Sequence, residues 1–399
     1  MRIFIIYLVF TIFLSCQDKV QINKMRSTTP NNLSDSWMQK PFIKNQDMFP
    51  ILKNDPTESF FCPVLNQEVK WQESYVFNPA AIVKDSKVYL LFRGEDLIGK
   101  YGGTSRIGIA ESNDGFNFIK RPMPILYPDN DAFLEIEKDG GVEDPRVVES
   151  DDGTFVMMYT AFNGHMARLC VATSKDLITW QKHGLAFSKA KNGSYKNLWS
   201  KSGSIITRQE GSHFIATKIN GKYWMYWGET DIYLATSDNL IDWEPILKEV
   251  KSGKYFTTYL GNGQYKEEYS PPQITFKTAL TIRNGRFDSR LVEPGPQAIL
   301  TDNGIFFIYN ASNDLNKGDQ NLYDGEYTIG QALFDVKDPS SVIRRCENFF
   351  LRAESIDEAT GQLNNAAFTE GLVYFNNKWL LYYVMSEAKI GVAICDLQL

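Results

Sequence analysis

Acids and amides gather at the two ends of apolar segments in this chain. Asn78, the Glu143-Asp144 pair, Glu293 and Glu370 open such segments, and Arg93, Glu95, Asp96, Asn163, Glu229, Asn310 and Ser386 close others. An acid at a strand end is, taken singly, usually a solvated turn. The same habit in segment after segment suggests groups converging on one place. Paired carboxylates suit glycoside cleavage, where one carboxyl protonates the leaving oxygen and another activates water. Carboxylates also accept hydrogen bonds from sugar hydroxyls, arginines donate them, and aromatic walls suit pyranose rings. The histidines His165, His183 and His213 form no spaced ligand set and have no nucleophile partner, which argues against a zinc site or a triad. Gly-Lys-Tyr-Gly-Gly at 99–103 lacks the strand–loop–helix setting of a phosphate loop and reads as a flexible loop. The expectation is an enzyme with neither metal nor cofactor.

The elements that position these groups form a repeat. "RIGIAES", "RLCVATS", "DIYLATS", "TIGQALF" and "KIGVAIC" each carry a small residue at the same place: Ala110, Ala172, Ala235, Ala332 and Ala393. Upstream of each lies an aromatic-rich strand, such as "KYWMYWGETD" from Lys222 to Asp231, and upstream again a further short strand. Turns rich in Asn, Asp and Gly ("KDSK", "SDDG", "INGK", "TDNG", "FNNK") join the first strand to the second. The unit of three strands occurs five times. Radial closure of short sheets protects their edges, so the expected fold is all-β, a five-bladed β-propeller, with a β-sandwich as runner-up. Extra length around "EVKSGKYFTTYLGNGQYKEEYSPPQ" reads as an insertion covering the binding face.

Composition agrees. The 399 residues are 14% aromatic and 23% charged, with a formal net charge of −6. That acidic balance argues against a nucleic-acid partner. Cys62, Cys170, Cys346 and Cys395 are widely spaced and read as small buried hydrophobes.

Residues 1–16 read as an export signal. An early Arg precedes an apolar run from Ile3 to Leu14, and Phe13-Leu14-Ser15-Cys16 is similar to a bacterial lipobox, making Cys16 the expected lipidation site. Polar residues 17–45 read as a tether, and 46–399 as one catalytic domain. The expected location is the periplasm or cell surface of a Gram-negative bacterium, with membrane contact only through the lipid anchor.

Several motifs, in order along residues 70–399, resemble glycoside hydrolase family 130: "RGED" (93–96), "GGVEDPRVV" (140–148), "KINGKYW" (218–224), "FDSRLVEPGPQAILTDNG" (287–304) and "NNAAFTEGLVYFNNKWLLYY" (364–383). The resemblance implies a five-bladed propeller acting on β-mannoside oligosaccharides with inversion, by phosphorolysis in many members and by hydrolysis of β-1,2 linkages in others. It implies that Asp96 is the general acid, relaying its proton through a sugar hydroxyl. It implies that Asn78, Asp144, Arg146 and Asp288 hold the mannose to be cleaved, with Arg93, Arg106, Lys201 and Glu370 as further binding residues. Phosphorylases carry a His-Arg-Pro-like segment after the strand matching "KINGKYW"; here Trp227-Gly228-Glu229 stands there. Like charges about 4 Å apart cost roughly 1–4 kcal/mol, so a carboxylate would repel phosphate and suits a water-activating base. Glu229 is therefore the expected general base, with Glu268 in reserve. The reading is an exported, inverting β-mannosidase. The alternatives are a β-mannoside phosphorylase, a non-catalytic sugar-binding propeller and another five-bladed glycosidase, such as an arabinan-cleaving one.

Overall fold

The computed structural model describes residues 37–45, 49–99, 103–251, 253–261, 264–270, 273–359, 361, 364–386 and 389–396. The signal-like residues 1–16, Cys16 and most of the expected tether lie outside them. The chain is all-β, and its principal strands fall into five successive antiparallel sheets. Their three main strands are Tyr75–Lys84, Lys87–Glu95 and Ser105–Ser112 in the first, and Gly141–Glu149, Phe155–Phe162 and Ala167–Ser174 in the second. The third holds Ser204–Glu210, Lys222–Trp227 and Ile232–Ser237. The fourth holds Leu291–Pro294 with Ala298–Thr301, then Gly304–Ser312 and Tyr327–Phe334. The fifth holds Ala367–Phe375, Lys378–Met385 and Lys389–Cys395.

The turn chemistry explains a hairpin pairing in three of the five sheets. Asp85-Ser86, Asn220-Gly221 and Asn376-Asn377 all have positive φ at both positions, and they link residues that pair directly: Lys84 with Lys87, Ile219 with Lys222, Phe375 with Lys378. Two left-handed residues in a two-residue loop match the twist of the strands they join. The third strands repeat the same register. Ala110 pairs with Leu90, Ala172 with Met157, Ala235 with Met225, Ala332 with Phe307 and Ala393 with Leu381, and all five alanines are buried. A small residue opposite a large one lets neighbouring sheets interlock.

The core lies between sheets. One cluster joins Leu90 and Phe92 to Leu380 and Tyr382, a second Ile107 to Tyr159, and a third Met158 to Met225. A fourth joins Tyr226 to Phe307, and a fifth Phe306 to Leu381. Each cluster is shared by consecutive sheets, and the first is shared by the fifth sheet and the first. Cys62, Cys170, Cys346 and Cys395 are free thiols in this apolar packing.

One expectation needs correction. Residues 37–45 are no tether: Gln39 exchanges hydrogen bonds with Gln331, Ile43–Lys44 pairs with the last strand, and Lys44 reaches Glu358 at 2.7 Å. The folded body therefore begins before residue 46. The insertion forms two small ribbons, Leu247–Lys251 with Gln273–Phe276 and Lys254–Gly261 with Gln264–Ser270, whose strands pair only with one another.

Candidate active site

Strict alternation along a strand would send Glu143 and Asp144 to opposite faces. A bulge prevents this. Between the second sheet's first two strands the register jumps at Met158/Thr160, and Asp144 takes φ 52°. Both carboxylates then reach the same guanidinium, Arg93, at 3.0 Å from Glu143 and 3.1 Å from Asp144. The first sheet does the same at Asn78, where φ is 48° and the register jumps between Phe77 and Ala80. The fifth does so at Glu370, between Thr369 and Gly371. In the third, Ser202 has φ 58° just before the strand begins. Bulges of this kind re-aim side chains beside active sites.

Asp144 is the hub. One oxygen accepts from the Asn78 amide at 2.7 Å and from Arg93, and the other faces the Lys201 ammonium at 3.4 Å. Burial opposes its charge, but Lys201, Arg93, the Asn78 amide and Arg146 together hold the carboxyl well below its usual range. Burial pushes its neighbour Glu143 up to about 6 against the pull of Arg93, and the Asp144 charge adds to the rise. The two acids titrate as a pair, in which Asp144 loses its proton first and Glu143 keeps its own up to about pH 6. Burial likewise raises Glu293 to about 7 against Lys201, and lifts Glu370 well above the ordinary range against Arg146. Burial disfavours the Lys201 charge, but Asp144, Glu293, Glu143 and Glu229 outweigh it and raise its pKa. The arrangement is acidic, with its cations already engaged. The Asn78 side-chain oxygen is buried without a hydrogen-bond partner, an acceptor available to a hydroxyl.

Glu229 sits half-buried at the edge of this group, within the fields of Lys201 and Glu293. Its backbone is pinned on both sides: Gly228 N–H donates to Lys201 O at 2.9 Å, and Val292 N–H donates to Thr230 O at 3.2 Å. Gly228 has φ 117°, and a Cβ there would lie 2.6 Å from Asp231 O, so only glycine makes this turn. The Trp199 indole N–H donates to Glu229 at 3.3 Å.

The other expected site residues fall elsewhere. On the strand Lys87–Glu95, Arg93 meets Glu95, Glu143 and Asp144, and Asp96 follows the end of that strand. It is fully buried, bonded at 2.7 Å to Arg106 and held by the N–H groups of Ile98 and Thr104. Arg106 lies over the Phe60 ring. Arg106 also lines a cavity of about 380 Å³ together with Cys62, Ile98 and Thr104. Asp288 is also spent: its oxygens are taken by Arg283, Arg345 and the Tyr309 hydroxyl. Arg146 braces the centre, donating to Gly295 O and Pro294 O and pairing with Glu370 at 3.2 Å. Glu268 lies on the outer ribbon, paired with Lys266 at 2.6 Å. Asn163 only shapes its turn, accepting from the N–H groups of His165 and Met166. A cleft of about 750 Å³ lined by Tyr127, Trp180 and Lys182 contains none of the candidate residues. Trp199 and Ser202 had no part in the sequence reading. Their signal was "NLWSKSG", a tryptophan and a lysine in the polar segment before an apolar strand.

Comparison with known proteins finds a set of relatives for the chain. The profile of the Glyco_hydro_130 family, described as beta-1,4-mannooligosaccharide phosphorylase, matches residues 52–398. A 1,2-beta-oligomannan phosphorylase from Thermoanaerobacter sp. (strain X514) is 31% identical over 350 residues, covering 84% of this chain and 95% of its own. The crystal structure of a glycosyl hydrolase from Bacteroides ovatus is 40% identical with a TM-score of 0.81, covering 90% of this chain and 94% of its own. A further structure has 38% identity, a TM-score of 0.81 and coverage of 90% and 94%. It is described in the words "the GH130 family of mannoside phosphorylases contains glycoside hydrolases that target beta-1,2 mannosidic linkages in Candida mannan".

Proposed function

The chain belongs to glycoside hydrolase family 130, and from that premise we propose that it is an inverting hydrolase releasing mannose from β-1,2-linked mannosides. The observation that carries water over phosphate is Glu229. A carboxylate stands at the edge of a buried polar cluster whose cations, Arg93, Arg146 and Lys201, are already paired with acids. A phosphate dianion would meet the like charge of the Glu229 carboxylate there. A water molecule would meet a base. The ring of inter-sheet cores supports a five-bladed propeller as the scaffold, with the bulged strands at its axis.

In this reading Asp144 and the Asn78 oxygen receive sugar hydroxyls. The leaving oxygen takes its proton, directly or through a sugar hydroxyl, from the Glu143–Asp144 pair. Lys201 and Arg93 fix Asp144 for that task, and Glu229 removes a proton from the attacking water. The apolar run ending at Cys16 supports export and a lipid anchor, so that the enzyme works on extracellular mannan or glycan fragments.

The experiment is cleavage of β-1,2-mannobiose with and without inorganic phosphate. Mannose alone is expected at equal rates in both. The naming of relatives as phosphorylases supports the second reading, and mannose 1-phosphate as main product would replace the first with it.

A further inference from the structure

The turn after the third strand is built alike in three sheets. The hydroxyls of Ser112, Ser174 and Ser237 each accept the N–H three residues on, at 2.9, 2.9 and 3.0 Å. The residues there, Gly115, Leu177 and Leu240, have φ 82°, 69° and 66°. Six residues past each serine stands an aromatic: Phe118, Trp180 and Trp243. The two indoles donate to the carbonyls of Leu177 and Leu240, at 2.9 and 3.1 Å. The three rings differ in what covers them. Phe118 packs edge-on against Tyr382, with ring centroids 5.8 Å apart. Trp243 is buried under the segment that leaves the second sheet: its backbone N–H donates to Ala186 O at 2.9 Å, and it shares a core cluster with Phe187 and Tyr195. Trp180 stays half-buried. The corresponding segment from the first sheet, residues 121–133, stands off from it, and the cleft of about 750 Å³ lies between them.

Both walls of that cleft are fixed. Arg121 N–H donates to Ile109 O at 2.9 Å, Ile125 N–H to Ile107 O at 2.7 Å, and the Trp71 indole to Pro122 O at 2.9 Å. Lys182 ties the walls together, donating to Tyr127 O at 2.8 Å and to Asp131 at 3.0 Å. A preformed cleft costs little ordering when a ligand enters. With its N–H engaged, the Trp180 ring has its apolar face left to offer. Exposed Arg121, Asp131 and Thr179 supply donors and acceptors beside it. Charges of both signs line the cleft, Arg121 and Lys182 against Asp129 and Asp131, so neither an anion nor a cation is favoured. A neutral ligand with C–H groups on its face and hydroxyls at its edge fits, which is the chemistry of a pyranose chain.

We propose that this cleft is a second, non-catalytic sugar-binding site, with Trp180 as its platform, for a stretch of the polymeric mannan whose end enters the catalytic centre. The choice of sugar rests on the β-mannoside reading above. The cleft shares no lining residue with the centre around Asp144. A polymer can therefore be held at both places, and holding it at one raises its effective concentration at the other. A disaccharide cannot occupy both, so the cleft acts on long substrates and leaves short ones alone.

Two variants test it. Trp180→Ala removes the platform. Thr179→Arg leaves the platform and obstructs the cleft from an exposed position, so it carries the test if Trp180→Ala fails to fold. On long β-1,2-mannan each is expected to raise KM about 5- to 10-fold, the usual loss for one well-placed tryptophan, while KM and kcat for β-1,2-mannobiose stay within about 2-fold of the parent. Calorimetry in the Glu229→Gln background reads binding without turnover, and the long mannan should bind more weakly by the same factor once the cleft is altered. Unchanged affinity for long mannan in both variants overturns the site. An equal loss with mannobiose overturns it too, because the change would then act through the catalytic centre. A parent that leaves mannobiose intact defeats the activity reading instead. Calorimetry still decides the cleft in that case: mannan binding weakened by Thr179→Arg upholds it, and mannan binding that is absent or unaffected overturns it.

Discussion

Asp144, from the first strand of the second sheet, and Lys201, from the segment leading into the third, face each other at 3.4 Å. Neither position is near the other in the chain, and the contact exists because a bulge at Asp144 turns its carboxylate toward the neighbouring sheet. Arg93 of the first sheet and Asn78 join the same carboxylate. Three sheets thus contribute to a single charged centre.

That centre should separate Asp144 from Asp96 by experiment. Asp144→Asn is expected to lower kcat by about 10²–10⁴-fold, because it removes the charge that helps keep the proton on Glu143, with the fold retained. Asp96→Asn strands the buried Arg106 and is expected to cost roughly 3–5 kcal/mol of stability. The folded fraction should keep turnover within about 10-fold. Steady-state kinetics paired with denaturant unfolding reads both. Full loss of turnover in stably folded Asp96→Asn would return the acid role to that residue.

Glu229→Gln keeps the shape and the Trp199 contact but removes the base. Turnover of β-1,2-mannobiose is expected to fall about 10²–10⁴-fold while calorimetry still detects substrate binding. Near-parental kcat would remove Glu229 from the mechanism.

Stability should fall as pH rises toward neutrality. Glu293 has a folded pKa raised from 4.5 to about 7, so the folded state holds its proton more tightly than the unfolded chain. The associated stability is complete below pH 4.5 and is lost as pH climbs through about 7. By linkage the loss is on the order of 3 kcal/mol, with a smaller loss in the same direction from Glu143. Asp144 works in the opposite sense, but only at pH values below its ordinary 3.8. Glu293→Gln is expected to flatten the decline and to raise the melting temperature at pH 8. An unchanged pH dependence in that variant would show that Glu293 does not carry the proton.

Gly228→Ala tests the turn that delivers Glu229. With φ at 117° and Asp231 O only 2.6 Å from the new Cβ, the backbone must shift. The expected cost is about 1–3 kcal/mol of stability, together with a drop in kcat larger than any change in KM. Parental kcat would mean that the turn does not set the position of the base.

Much of the scaffold was readable because it repeats. The five recurring alanines, the tight Asn/Asp/Gly turns and the aromatic second strands recover the sheets and their registers. The site was readable only in outline. Asn78, Arg93, Asp144, Lys201, Glu293 and Glu370 do come together. The motif that carries Asp96 does not announce its burial against Arg106, which folding brings about. Asp288 looked free for a sugar because nothing nearby in sequence announces Arg345, which takes one of its oxygens from another strand.

Local chemistry therefore determined what this chain could become. Strand length, turn type and the spacing of small residues depend on near neighbours, and they are written in the sequence. Tertiary structure decided which carboxylates are charged, which are sealed and which meet. Those properties depend on burial and on partners tens to hundreds of residues away. Glu293 keeps its proton to about 7 because folding removes water from it, and Asp144 loses its proton early because folding brings Lys201 and Arg93 to it.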